Sequence, residues 1–143
     1  MLAEKFGKYS DYASVVLRVA LGAVLFWHGQ AKILDLAGTA GFLAQSFPAP
    51  MLLAVIAAVI ETFGGIFLVL GLLTRLSALL VALEFVVILV YKILVWGIPF
   101  VDFQTGVGGY QLDMIILAAA VALLLRGSKK LSLEQKLFKK ELI

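Results

Sequence analysis

There is no cysteine in this chain of 143 residues. That excludes disulfides, thiolate metal sites, iron–sulfur clusters, covalent haem attachment and CxxC redox chemistry. Histidine occurs once, at His28, which rules out a bis-histidine haem within one chain, although two chains could still pair their histidines. Neither a metal nor haem is expected in this chain alone. Charge is scarce: 15% of residues are Asp, Glu, Lys or Arg, against about 25% in an average soluble domain. Alternation of period two is missing, so nothing argues for a barrel, and no internal repeat stands out. What fills the chain is apolar, 63% by count, where a soluble domain holds about 45–50%. A chain this small could not hide so much apolar surface, so the bilayer is the expected solvent.

Four apolar stretches emerge, at about 13–33, 51–73, 76–98 and 107–125. Spanning a bilayer takes about 20 helical residues, and each stretch is close to that length. The fourth is the weakest, because its strictly apolar part runs only from Met114 to Leu125. The first could be mistaken for a secretion signal, but Arg18 interrupts it and no small-x-small cleavage site follows promptly. Thr74 and Arg75 read as a very short turn between the second and third helices. Pro48 and Pro50 fall just before a helix start, where proline does least harm. The expectation is one domain over 1–143: an all-α, integral membrane four-helix bundle.

Lysine and arginine set the orientation. Nine of the twelve flank one side: Lys5, Lys8, Arg75, Arg126, Lys129, Lys130, Lys136, Lys139 and Lys140. With an even number of spans, both termini fall in the cytoplasm, and the expected location is the plasma membrane, as a multi-pass protein. Basic residues placed this way favour no nucleic acid. In the tail, 128–143, Ser132 can cap a helix with Gln135 as its capping-box partner. Leu133, Leu137 and Phe138 then share a face opposite several lysines. This reads as a short basic amphipathic helix on anionic lipid, or equally as a solvated charged tail.

Seven ionisable groups lie within or at the ends of the spans: Arg18, His28, Lys32, Glu61, Glu84, Lys92 and Asp113. Such groups are costly in lipid, usually face a bundle interior or a wet cavity, and are functional candidates. At ~1.5 Å per residue, His28, Glu61 and Asp113 each lie roughly 20 Å from the cytoplasmic side, Lys92 roughly 24 Å and Glu84 roughly 12 Å. Arg18, only about 6 Å up, can snorkel back to the cytoplasm. Four helices thus deliver His28, Glu61, Lys92 and Asp113 to one level in the outer half, with Lys32 just above.

The helix faces agree. His28 and Lys32 are four apart and share a face. Ala54, Ala57, Ala58, Glu61 and Gly65 cluster on one side of the second helix, the small-residue signature of close packing in membranes. Ser77, Glu84 and Tyr91 recur every seven residues along the third. A buried ion network that only fixes helix packing would account for the same residues. An acid left without a close base could instead exchange protons. Phe26, Trp27, Tyr91, Trp96, Phe100, Phe103 and Tyr110 fall near the outer interface, as an aromatic belt would or as the wall of a site for a flat apolar ligand.

At "LRVALGAVLFWHGQAKI", "IETFGGIFLVLGLLTRLSALL" and "SLEQK" the chain resembles the DoxX family of small bacterial and archaeal membrane proteins. The matching residues are Arg18, Gly22, His28, Gly29, Lys32, Pro48, Glu61, Gly64, Gly65, the Gly71–Arg75 turn, and Gly127 followed by the "SLE" tail. The resemblance implies a four-helix membrane bundle and a subunit of a quinone-linked oxidoreductase. It supplies no catalytic residues, so those rest on depth and face. The expected arrangement has Glu61, Asp113 and Glu84 moving protons. His28, Lys32, Lys92, Tyr91 and Trp27 would bind a quinone head group in the outer half. Since nothing in the chain carries an electron by itself, a second redox subunit or a homo-oligomer is expected as partner. The alternatives are a membrane anchor or assembly subunit without chemistry of its own, and a small proton-coupled transporter.

Overall fold

The computed structural model describes residues 9–104 and 108–139, and the regular structure among them is helical, with no strand. Six α-helices follow in order: α1 (Ser10–Leu34), α2 (Leu36–Leu43), α3 (Pro50–Leu70), α4 (Thr74–Val90), α5 (Gln111–Arg126) and α6 (Leu133–Phe138). A π-helical turn, Tyr91–Val95, extends α4. Three stretches are long and apolar enough to cross a membrane: Asp11–Leu34, Pro50–Leu70 and Thr74–Val95. The fourth long helix, α5, has 16 residues, which gives about 24 Å against the ~30 Å of a hydrocarbon core. It starts at Gln111 rather than near 107, because Gly108 takes a positive φ of 75° and Tyr110 only leads into the first turn. Val107, Lys5, Lys8 and Lys140 lie outside the described residues.

Local chemistry sets the other boundaries. The tight turn sits at Gly71–Leu73, one step earlier than Thr74–Arg75, which already belong to α4. Gly71 adopts the left-handed conformation (φ 65°, ψ 47°), and the following N–H of Leu72 returns to Phe67 O at 2.8 Å, the glycine stop that commonly ends a helix. The short helix α2 was not legible as one in the loop between the first two spans. Asp35 starts it, with Oδ1 accepting from Gly38 N at 2.8 Å, a side-chain cap of the usual kind. Pro50 opens α3 where its missing N–H costs nothing. The helix α3 then runs unbroken through Glu61–Gly65.

Packing is closest between α1 and α3, through missing side chains. A Cβ on Gly22 would stand 2.6 Å from Gly65 O, and one on Gly65 would stand 2.7 Å from both Gly22 O and Phe26 N. Ala54, Ala58, Glu61 and Gly65 of α3 are buried and Ala57 half-buried, with exposed Val55, Val59 and Phe63 on the opposite side. The helix α4 packs on α5, and α1 also meets α5. Leu21, Leu25, Leu68, Val81, Phe85, Ile116, Ala120 and Leu123 form the shared core.

Arg18 does not snorkel. It is 1% exposed, and its guanidinium donates to the carbonyls of Ser128 at 3.2 Å, Lys130 at 3.3 Å and Leu131. A compact planar donor with five N–H groups suits several converging carbonyls. Beside it, Ser14 Oγ donates to Gly127 O at 2.6 Å. Glu134 of α6 is buried and its Oε1 accepts from Thr74 N at 3.0 Å, which caps α4 and places a negative charge at its N-terminus. Ser132 Oγ accepts from Gln135 N, so the expected cap on the tail helix exists, but only six residues follow it as helix. Leu137 and Phe138 remain exposed.

Candidate functional site

Farther from the Gly71 turn, the helices part around a cavity of about 730 Å³. Its position follows from the helix faces. His28 and Lys32 are one turn apart near the end of α1. Gly29 between them lets α3 approach: a Cβ there would stand 2.3 Å from Thr62 Oγ1 and 2.5 Å from Thr62 N. That approach sets Glu61, the neighbour of Thr62, opposite Lys32. The ammonium donates to Glu61 Oε2 at 2.5 Å, with Glu61 only 1% exposed. Across the cavity, Lys92 of the π-turn donates to Asp113 Oδ2 at 2.7 Å. Both pairs border the same space, and Glu84 and Tyr91 line it as well.

The pairs leave unequal capacity. Each ammonium has three donors and spends one on its acid. The two oxygens of Glu84 are buried without a hydrogen-bond partner. His28 Nδ1 lies 2.8 Å from Val24 O. A carbonyl can only accept, so Nδ1 carries the proton, and Nε2 is what a neutral His28 offers a ligand. Among the described residues no group of three His, Asp or Glu side chains could hold a metal ion.

An aromatic wall closes one side. Phe47 and Tyr91 stack at 4.0 Å between ring centroids, Phe42 meets Trp96 at 5.0 Å, and Tyr91 and Trp96 lie 6.2 Å apart. Trp96 Nε1 donates to Ser46 Oγ at 2.8 Å. Phe42, Phe47 and Ser46, which sequence reasoning did not single out, come from α2 and the chain after it. Their signal was a loop rich in phenylalanine between two spans, with no way to see it fold back. Of the eight residues expected at the site, seven line the cavity. Trp27 does not: it stands on the outer face of α1, 76% exposed, because position 27 points away from the α3 side that positions 22, 26 and 29 face.

The family profile of DoxX matches residues 13–94. The chain belongs to the DoxX family. It is 32% identical over 133 residues to the protein named "Putative oxidoreductase CatD" of Bacillus subtilis (strain 168), with 92% of each chain covered. No solved structure matches it significantly. The DoxX segment takes in His28, Lys32, Glu61, Glu84, Tyr91 and Lys92, and stops short of Trp96 and Asp113. The residues that carried the resemblance divide by place. Arg18, Gly71 and the "SLE" tail meet at the turn end, whereas His28, Gly29, Lys32 and Glu61 meet at the cavity.

Proposed function

We propose that this DoxX chain is a multi-pass plasma-membrane protein, a four-helix bundle with both termini cytoplasmic. In this reading it serves as a subunit of a quinone-linked oxidoreductase. The observation that carries the reading is the aromatic-walled cavity between the ion pairs, with Glu84 unpartnered inside it. The relative named as an oxidoreductase supports it. A flat ring would lie beside Tyr91 and Phe47. The spare donors of Lys32 and Lys92 would hold its carbonyl oxygens, and His28 Nε2 and Glu84 would face its hydroxyls. A bound quinone would supply electron acceptance coupled to proton uptake. The chain's own task is to orient the head group and to hold or release protons at Glu84, Glu61 and Asp113. Electrons come from a partner subunit.

The test is mass spectrometry of the complex extracted gently from its own membranes. Stoichiometric quinone beside a redox subunit is expected, and Glu61→Gln should abolish quinone-dependent turnover while the chain still assembles. Wild-type turnover in that variant would overturn the assignment. One observation favours a second reading, a membrane anchor: the ion pairs tie α1 to α3 and α4 to α5, which pack on each other anyway. An anchor would bring down a partner without quinone and tolerate neutral substitutions at all three acids.

A further inference from the structure

The cavity does not end at its polar wall. The helices α3 and α4 leave the Gly71–Leu73 turn together and meet where Gly64 faces α4: a Cβ on Gly64 would stand 3.8 Å from Val81 Cγ2 and 4.0 Å from Ser77 Cβ. One helical turn farther, the facing residues line the cavity instead of closing it: Ala57 and Ile60 on α3, Glu84 and Ile88 on α4. Ile56, Leu83 and Val87 line it too, yet are 44%, 57% and 47% exposed. Exposed lining residues gathered on the facing edges of two helices mark a mouth there. This mouth lies along two of the helices long and apolar enough to cross a membrane. Its rim carries no polar group, while Glu61, Glu84 and Asp113 sit deeper. On the loop side Phe42 packs on Trp96 and Phe47 on Tyr91, with Trp96 held to Ser46, and only Phe42 of these is exposed, at 40%.

We propose that the gap between α3 and α4 is a lateral portal. A membrane-dissolved amphipathic ligand enters through it head first, and its hydrocarbon tail stays in the gap and reaches back into lipid. The inference rests on the head-group reading above and adds the route and the ligand class: a chain-bearing lipid rather than a water-borne ring. Lipid tails are as apolar as leucine, so a tail gains no hydrophobic energy in the gap. The portal acts by shape, deciding whether a head group with a chain attached can seat.

The chain has two tryptophans, so Trp27→Phe leaves Trp96 in the cavity wall as sole reporter. Protein with that change is reconstituted in lipid vesicles and titrated with tailless menadione and with a tetraprenyl menaquinone, reading Trp96 quenching. Adding Ile56→Phe and Leu83→Phe narrows the rim. The narrowed protein should bind the prenylated quinone at least about tenfold more weakly, a loss of about 1.4 kcal/mol. Its menadione affinity should be unchanged, which also reports that it is folded. Leu83→Ala, which widens the rim, should keep both ligands. Equal binding of the prenylated quinone by narrowed and open proteins overturns the portal and leaves the head-group reading standing. If neither quinone quenches the open protein, the head-group reading falls. Vesicles of phospholipid brominated on its acyl chains then decide the portal. Quenching of Trp96 that the narrowed rim abolishes upholds a lateral opening, and quenching unaffected by the rim overturns it.

Discussion

At the end where α3 turns into α4, Arg18 is surrounded by backbone carbonyls and Glu134 by a helix N-terminus. At the other end two lysines and two acids wall an open space, and a third acid has no partner. Both ends bury charge, and both draw on residues that the DoxX resemblance singled out. They differ in what satisfies the charge. Backbone groups cannot leave, so charge bonded to them fixes the chain's path. Side-chain pairs around a cavity can exchange partners with a ligand. Burial alone therefore does not mark a site, and the identity of the partner does.

Four changes sharpen that contrast. Arg18→Met should be the most damaging, since it strips three carbonyls of their donor and removes a buried cation near Glu134. A loss of about 3–5 kcal/mol is expected, as for other broken buried charge clusters, read as a large drop in unfolding temperature in detergent. An unchanged midpoint would break the comparison at its closed end. Gly29→Ala comes next. Its methyl would press on the Thr62 backbone, and overpacking of this kind costs about 1–3 kcal/mol. The lost register should also separate Lys32 from Glu61, so menadione quenching of Trp96 should weaken along with stability. Glu84→Gln should change stability by less than about 1 kcal/mol, because no hydrogen bond is lost, yet it should stop quinone-dependent turnover in the native complex. Stability falling as far as in Gly29→Ala would make Glu84 a packing residue. Trp27→Phe should be the mildest, within about 0.5 kcal/mol, with menadione affinity retained. A clear loss of affinity would return Trp27 to the site.

Much of the helical frame was legible, because a small chain can bury several apolar runs of that length only in lipid. Depth arithmetic also brought His28, Glu61, Lys92 and Asp113 to one level, since helical rise is nearly constant. It could not say which acid meets which base. That choice came from Gly29, whose missing side chain sets how closely α1 and α3 approach, and this depends on both helices at once. Trp27 was misplaced for the same reason: interfacial depth says nothing about azimuth. Arg18 was sent to water because its partners lie 110 to 113 residues away, in a tail that shows no sign of docking.

The π-helical turn at Tyr91–Val95 carries a consequence for phase. Its closing bond runs from Trp96 N to Tyr91 O, five residues back, at 2.9 Å. In a regular α-helix residues five apart are about 140° out of step. The wider turn narrows that difference, so Tyr91 and Trp96 both reach the cavity while Lys92 still meets Asp113. The aromatic wall thus depends on the count of residues in one turn as much as on their identity. Removing one residue from 91–95 would keep the composition almost intact and turn the wall away from the space it encloses.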